Sequence, residues 1–82
     1  MNSVRLMFFA TLRDRAGSKT AEMQVPEGTT VGDLRARVAR DYPSLDSSLK
    51  SALIAVNREY ATEDALIPEN AEVALFPPVS GG

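Results

Sequence analysis

The sequence contains no cysteine and no histidine. The first absence removes disulfides and thiol nucleophiles, and the second removes imidazole bases. Together they remove most transition-metal ligand sets. Aspartates and glutamates remain, but no pair of them stands at a spacing that points to acid–base work. No metal site and no bound cofactor are expected, and any catalytic side chains are expected on a partner. Long hydrophobic runs are also missing: nothing approaches a membrane span, and Met1-Asn2-Ser3-Val4-Arg5 lacks the make-up of a signal peptide. The expected location is the cytoplasm, without membrane contact. No repeat, low-complexity segment or linker interrupts the chain.

Positive charge is scarce in the second half. Residues 1–40 hold seven basic and four acidic groups, whereas residues 41–82 hold two basic and seven acidic. The net charge of −2 argues against nucleic acid as the main ligand. The uneven spread makes a dipolar surface that can steer a partner. What is present is ordinary for a globular domain: 44% apolar and 24% charged residues in a chain of 82, enough for one small core.

Val4-Arg5-Leu6-Met7-Phe8-Phe9-Ala10 reads as a strand that is apolar on both faces. Val4, Leu6, Phe8 and Ala10 share one side; Arg5, Met7 and Phe9 share the other. Such a strand sits centrally or carries an interface. Thr11 to Lys19 reads as a polar connection with room for one helical turn, closed at Gly17. Thr20 to Val25 reads as a second strand, stopped by Pro26-Glu27-Gly28.

Thr30 has the make-up of a helix N-cap, with Asp33 three residues on as a capping-box partner. Val31, Leu34, Val38 and Tyr42 follow at helical spacing and form one apolar stripe. Asp33 and Arg37 are placed for an i,i+4 pair, with Arg40 near them on a solvated face. Pro43 ends the helix, and Leu45 and Leu49 are expected to cover a core edge. Residues 52–57 read as a third strand, Asn57-Arg58-Glu59 as a turn and Glu59-Tyr60-Ala61 as a short return strand. Ala65-Leu66-Ile67 returns to the core. Pro68-Glu69-Asn70-Ala71 is a tight turn into a final strand, Glu72 to Phe76.

One helix over a small mixed sheet is an α+β architecture, and this element order suggests a β-grasp fold. Its first and last strands lie side by side and parallel. Val73 and Leu75 then join Leu6 and Phe8 beneath the helix, while Phe76 shares the opposite face with Phe9. Tyr60 is a candidate third member of that aromatic docking patch.

Residues 1–76 thus form the β-grasp domain, and Pro77-Pro78-Val79-Ser80-Gly81-Gly82 a tail. The prolines stop the sheet ladder and favour a stiff extended arm. Six extended residues reach at most ~20 Å. Glycine has no Cβ, so Gly81 and Gly82 can pass a narrow channel. The chain is expected to end on an unhindered, ionised carboxylate at Gly82. A carboxylate is a poor acyl donor, so another enzyme must activate it.

Leu6-Met7-Phe8-Phe9-Ala10, Val56-Asn57-Arg58-Glu59-Tyr60 and the whole of residues 72–82 resemble the MoaD family, the small subunits of molybdopterin synthase. The resemblance spans essentially the whole chain, and Phe-Pro-Pro-Val-Ser-Gly-Gly is its specific part. Asn70-Ala71 departs from the family's usual Gly-Asp, but Asn holds the same turn. The resemblance implies a ubiquitin-like β-grasp sulfur carrier within a sulfurtransferase. A MoeB-type adenylyltransferase would adenylate Gly82 with ATP, and a sulfur donor protein would convert the adenylate to a thiocarboxylate. A MoaE-type large subunit, in a heterotetramer, would take the tail into its active site. There the sulfur passes to cyclic pyranopterin monophosphate. By position, Phe9, Tyr60 and Phe76 match the family's apolar contact surface, with Arg13 as an added polar contact.

Other readings share the Gly-Gly ending. Sulfur carriers of thiamine synthesis or tRNA thiolation usually lack the Pro-Pro-Val-Ser before it. A ubiquitin-like modifier would join lysines through an isopeptide bond. A purely structural domain would work without Gly81-Gly82.

Overall fold

The computed structural model describes residues 1–78. The chain opens with β1 (Asn2–Phe8), followed by α1 (Ala10–Ala16), β2 (Thr20–Val25) and α2 (Val31–Asp41). A 3-10 turn (Pro43–Leu45) and a short α3 (Asp46–Leu49) lead to β3 (Leu53–Val56), β4 (Glu59–Tyr60) and β5 (Glu72–Phe76). The strands make one sheet in the order β2-β1-β5-β3-β4. β1 and β5 pair in parallel, with Leu6 opposite Val73 and Phe8 opposite Leu75. β5 pairs antiparallel with β3 on its other side.

Alternation along the strands builds the core. Val4, Leu6, Phe8, Val73 and Leu75 turn to the helix side and are 2% exposed or less. Val31, Leu34 and Val38 of α2 meet them, each fully buried. Tyr42, just past the helix, sets its ring edge-on to Phe8 at 5.4 Å. Leu45 and Leu49 lie deeper than an edge cover, at 0% and 1% exposed.

The entry to α2 is closed from both sides. The Asp33 N–H donates to Thr30 Oγ1, and the Thr30 N–H donates to Asp33 Oδ2. The next free donors are also met: Val31 N–H reaches the Ala65 carbonyl and Gly32 N–H the Glu63 carbonyl. Because its carboxylate serves the cap, Asp33 does not pair with Arg37. Arg37 bonds instead to Asp41, one turn further on, at 3.1 Å.

Three further details differ from the sequence reading. The first strand stops at Phe8, and Ala10 takes φ 51° to start α1. The ladder carries on one residue longer, because Phe9 N–H donates to the Leu75 carbonyl. The polar connection is a seven-residue helix rather than one turn; it buries Leu12 and ends at Gly17, whose φ of 79° suits glycine. Leu66 is 66% exposed, so Ile67 makes the return to the core without it.

Two polar side chains fix long loops. Asn2, 4% exposed, donates to the carbonyls of Ile67 and Pro68 and accepts from the Asn70 N–H. It holds the turn before β5, where Asn70 takes a positive φ of 54° that asparagine tolerates. Arg35 of α2 donates to the carbonyls of Leu49 and Ala52, and through Nε and Nη2 to both oxygens of Glu63. That hydrogen bond lowers the Glu63 pKa from its ordinary 4.5, and burial opposes the effect.

Candidate functional site

The face of the sheet away from α2 is open. Ladder partners share a face, so Leu53 stands with Phe76, Ala55 with Ala74 and Tyr60, and Met7 with Ala74. Phe9 extends this surface at the end of β1. Small residues occupy the middle of the sheet and aromatic residues its end, which leaves a shallow groove. Met7, Ala55 and Ala74 line its floor, and Phe9, Tyr60 and Phe76 its apolar walls. Arg58 and Glu72 complete the lining.

The parallel pairing of β1 and β5 brings the aromatic rings together. Phe9 and Phe76 stack with centroids 4.7 Å apart and planes 13° from parallel. Tyr60 tilts toward Phe76 at 6.3 Å. Phe9 is 40% exposed and Tyr60 72%, while Phe76 is half-buried between them. An exposed aromatic cluster on a rigid sheet suits the burial of a partner's apolar side chain.

The residues expected to act together are therefore only partly gathered. Phe9, Tyr60 and Phe76 form one surface. Arg13 sits exposed on α1 and does not line the groove. Pro77 is half-buried and Pro78 exposed, directly after the central strand. Val79, Ser80, Gly81 and Gly82 lie outside the described residues. Two features of this face were missed. Leu53, 39% exposed, is on this face because it pairs with Phe76, a register that follows only from antiparallel pairing of β3 with β5. Arg58 joins it through a two-residue hairpin whose length gave the signal.

Among the described residues, no group of three or more acidic, histidine or cysteine side chains could hold a metal ion. None of the described helices is long and apolar enough to cross a membrane. Among the described residues, the groove offers apolar contact, one cation and one carboxylate, a lining that suits the binding of a partner's side chains.

A helix packed on one face of a five-stranded mixed sheet, first and last strands parallel at its centre, defines a ubiquitin-like β-grasp domain. The chain belongs to the ThiS family, whose sequence pattern matches residues 6–82. It is 33% identical over 84 residues to the molybdopterin synthase sulfur carrier subunit of Dictyostelium discoideum, covering 99% of this chain and 98% of that one. It is 34% identical over 82 residues to small archaeal modifier protein 1 of Haloferax volcanii, covering 90% and 94% of the two chains. The crystal structure of SAMP1 from Haloferax volcanii matches with a TM-score of 0.88 at 32% identity, over 99% of this chain and 100% of that one.

Proposed function

We propose that this protein is the sulfur carrier subunit of a molybdopterin synthase, with Gly82 as the group that carries sulfur. One observation carries the reading. β5, the strand that ends in the aromatic groove at Phe76, runs directly into Pro77-Pro78. A partner seated on the groove therefore holds the root of the tail. The similarity to the Dictyostelium carrier over nearly the whole of both chains supports the assignment.

In this scheme the Gly82 carboxylate attacks ATP bound to a MoeB-type adenylyltransferase, and pyrophosphate leaves. The acyl adenylate has a good leaving group, which a bare carboxylate lacks. Sulfide-level sulfur delivered by a donor protein then attacks the acyl carbon; the C–S bond forms as the C–O bond to AMP breaks, AMP leaves, and Gly82 ends in a thiocarboxylate. The tail enters a MoaE-type large subunit and gives its sulfur to cyclic pyranopterin monophosphate. The sulfur rides on the main chain, so the carrier needs no cysteine.

The test is intact mass after incubation with ATP, a MoeB-type enzyme and a sulfur source. The expected gain equals replacement of one oxygen by sulfur, localised to the C-terminal peptide. The loaded protein should then support molybdopterin formation with a MoaE-type subunit. A chain lacking Gly82 that still supports it would sink the proposal.

The similarity to the Haloferax modifier favours a second reading, in which Gly82 is joined to lysines of other proteins. That reading predicts conjugates in cell extracts whose tryptic peptides carry the tail on a lysine. It also predicts that the Gly82 adenylate passes to an amine rather than to sulfur.

A further inference from the structure

Val56 pairs with Glu59, so Asn57 and Arg58 alone connect β3 to β4. Both have positive φ, 49° and 72°. That is the mark of a type I′ hairpin, in which the second central position favours glycine. Asn57 tolerates the conformation and is also tied down. Its N–H donates to the Glu72 carbonyl at 2.8 Å, and its Oδ1 accepts from the Glu72 N–H at 2.9 Å.

Arg58 has no such return. It carries a Cβ where glycine is the relaxed choice. Its side chain is exposed and, among the described residues, takes part in none of the salt bridges. Among the described residues it is also the only basic side chain that lines the aromatic groove. A strained backbone position that presents an unpaired charge at an apolar groove is a reason to look for a ligand.

We infer that Arg58 is a specificity-determining contact, which receives a carboxylate from the protein that seats an apolar side chain against Phe9 and Phe76. The inference rests on the docking role proposed above. The guanidinium presents a planar fork that matches a carboxylate in two parallel hydrogen bonds. Covering the aromatic groove removes water from the pair and strengthens it. Glu72 on the same groove repels a misplaced acid, so the two charges fix the register of the partner. The partner surface thus has an acidic residue beside its apolar anchor.

The test uses the full chain and the large molybdopterin synthase subunit of the same organism, in calorimetric titrations at low and high salt. Arg58→Gly relaxes the hairpin and removes the charge. It should raise the melting temperature by roughly 4–8 °C and weaken binding about tenfold, with a shallower salt dependence. Arg58→Glu should weaken binding further. Opposite signs for stability and affinity are not expected of a residue that only shapes its turn. Binding of Arg58→Gly and Arg58→Glu as tight as wild type, with Phe76→Ala weakened, would overturn the inference and leave the docking groove in place. Unchanged binding by Phe76→Ala as well would remove the groove as the docking site, and this inference with it.

Discussion

The rings of Phe9 and Phe76 lie nearly flat on one another, 4.7 Å between centroids, from opposite ends of the chain. Nothing local holds them there. Their meeting depends on the parallel register that sets Phe8 opposite Leu75. The patch is thus a property of the finished sheet, positioned by a core that the aromatic rings themselves do not enter.

Phe76→Ala should separate binding from stability. A fully buried phenylalanine costs about 3–5 kcal/mol when truncated. Phe76 is only half-buried, and about 1–2 kcal/mol of stability is expected in urea unfolding. Affinity for the large subunit should fall more than about tenfold, as for an aromatic hot spot. Calorimetry on wild type and variant measures the second effect directly.

Arg35→Ala should destabilise the domain although Arg35 belongs to no core cluster. It removes donors from two backbone carbonyls and from Glu63, on segments that come before and after β3. The loss should be about 1–3 kcal/mol. Arg35→Lys should recover only part of it, because an ammonium cannot span the same acceptors in one plane. Thermal melts of the three proteins test this; equal melting temperatures would contradict it.

The Glu63 pair should show an acid dependence of one sign. Its folded pKa is below the ordinary 4.5, held down by the hydrogen bond from Arg35. The stabilisation is therefore complete above the unfolded value and is lost as pH falls through the folded one. The Glu63 side chain is 59% exposed, so solvent screening limits the effect to under about 1 kcal/mol. Wild type should exceed Glu63→Gln in stability at pH 7, and the gap should narrow as pH falls below the ordinary 4.5. A gap of constant size across that range would count against the assignment.

Elements bracketed by strong breakers were legible in the sequence. β2 stands between Gly17 and Pro26, and β5 between Asn70 and Pro77, and both have the limits that were expected. The cap of α2 was also legible, because Thr30 and Asp33 meet within one turn. Ala10 was misplaced because alanine continues an alternating pattern without opposing it, and only the backbone shows where the strand stops. α1 was understated because a polar run with one buried residue, Leu12, gives almost no periodicity. Arg35 was missed for a different reason. In sequence it resembles any arginine on a helix surface, and its partners lie 14 to 28 residues away. For the site, the aromatic residues could be assigned to a face by counting along strands. Leu53 needed the register of β3 against β5, whereas the short hairpin that carries Arg58 to this face was there to be read.

The tail is rooted in a strand with a neighbour on each side, parallel to β1 and antiparallel to β3. A pull on Pro77 along the strand would not peel hydrogen bonds from an edge one at a time. It would load both ladders together, in shear. Pro77 is therefore joined to a strand that resists a pull along its axis, and under the proposed function a partner can draw on it without unravelling the body behind it.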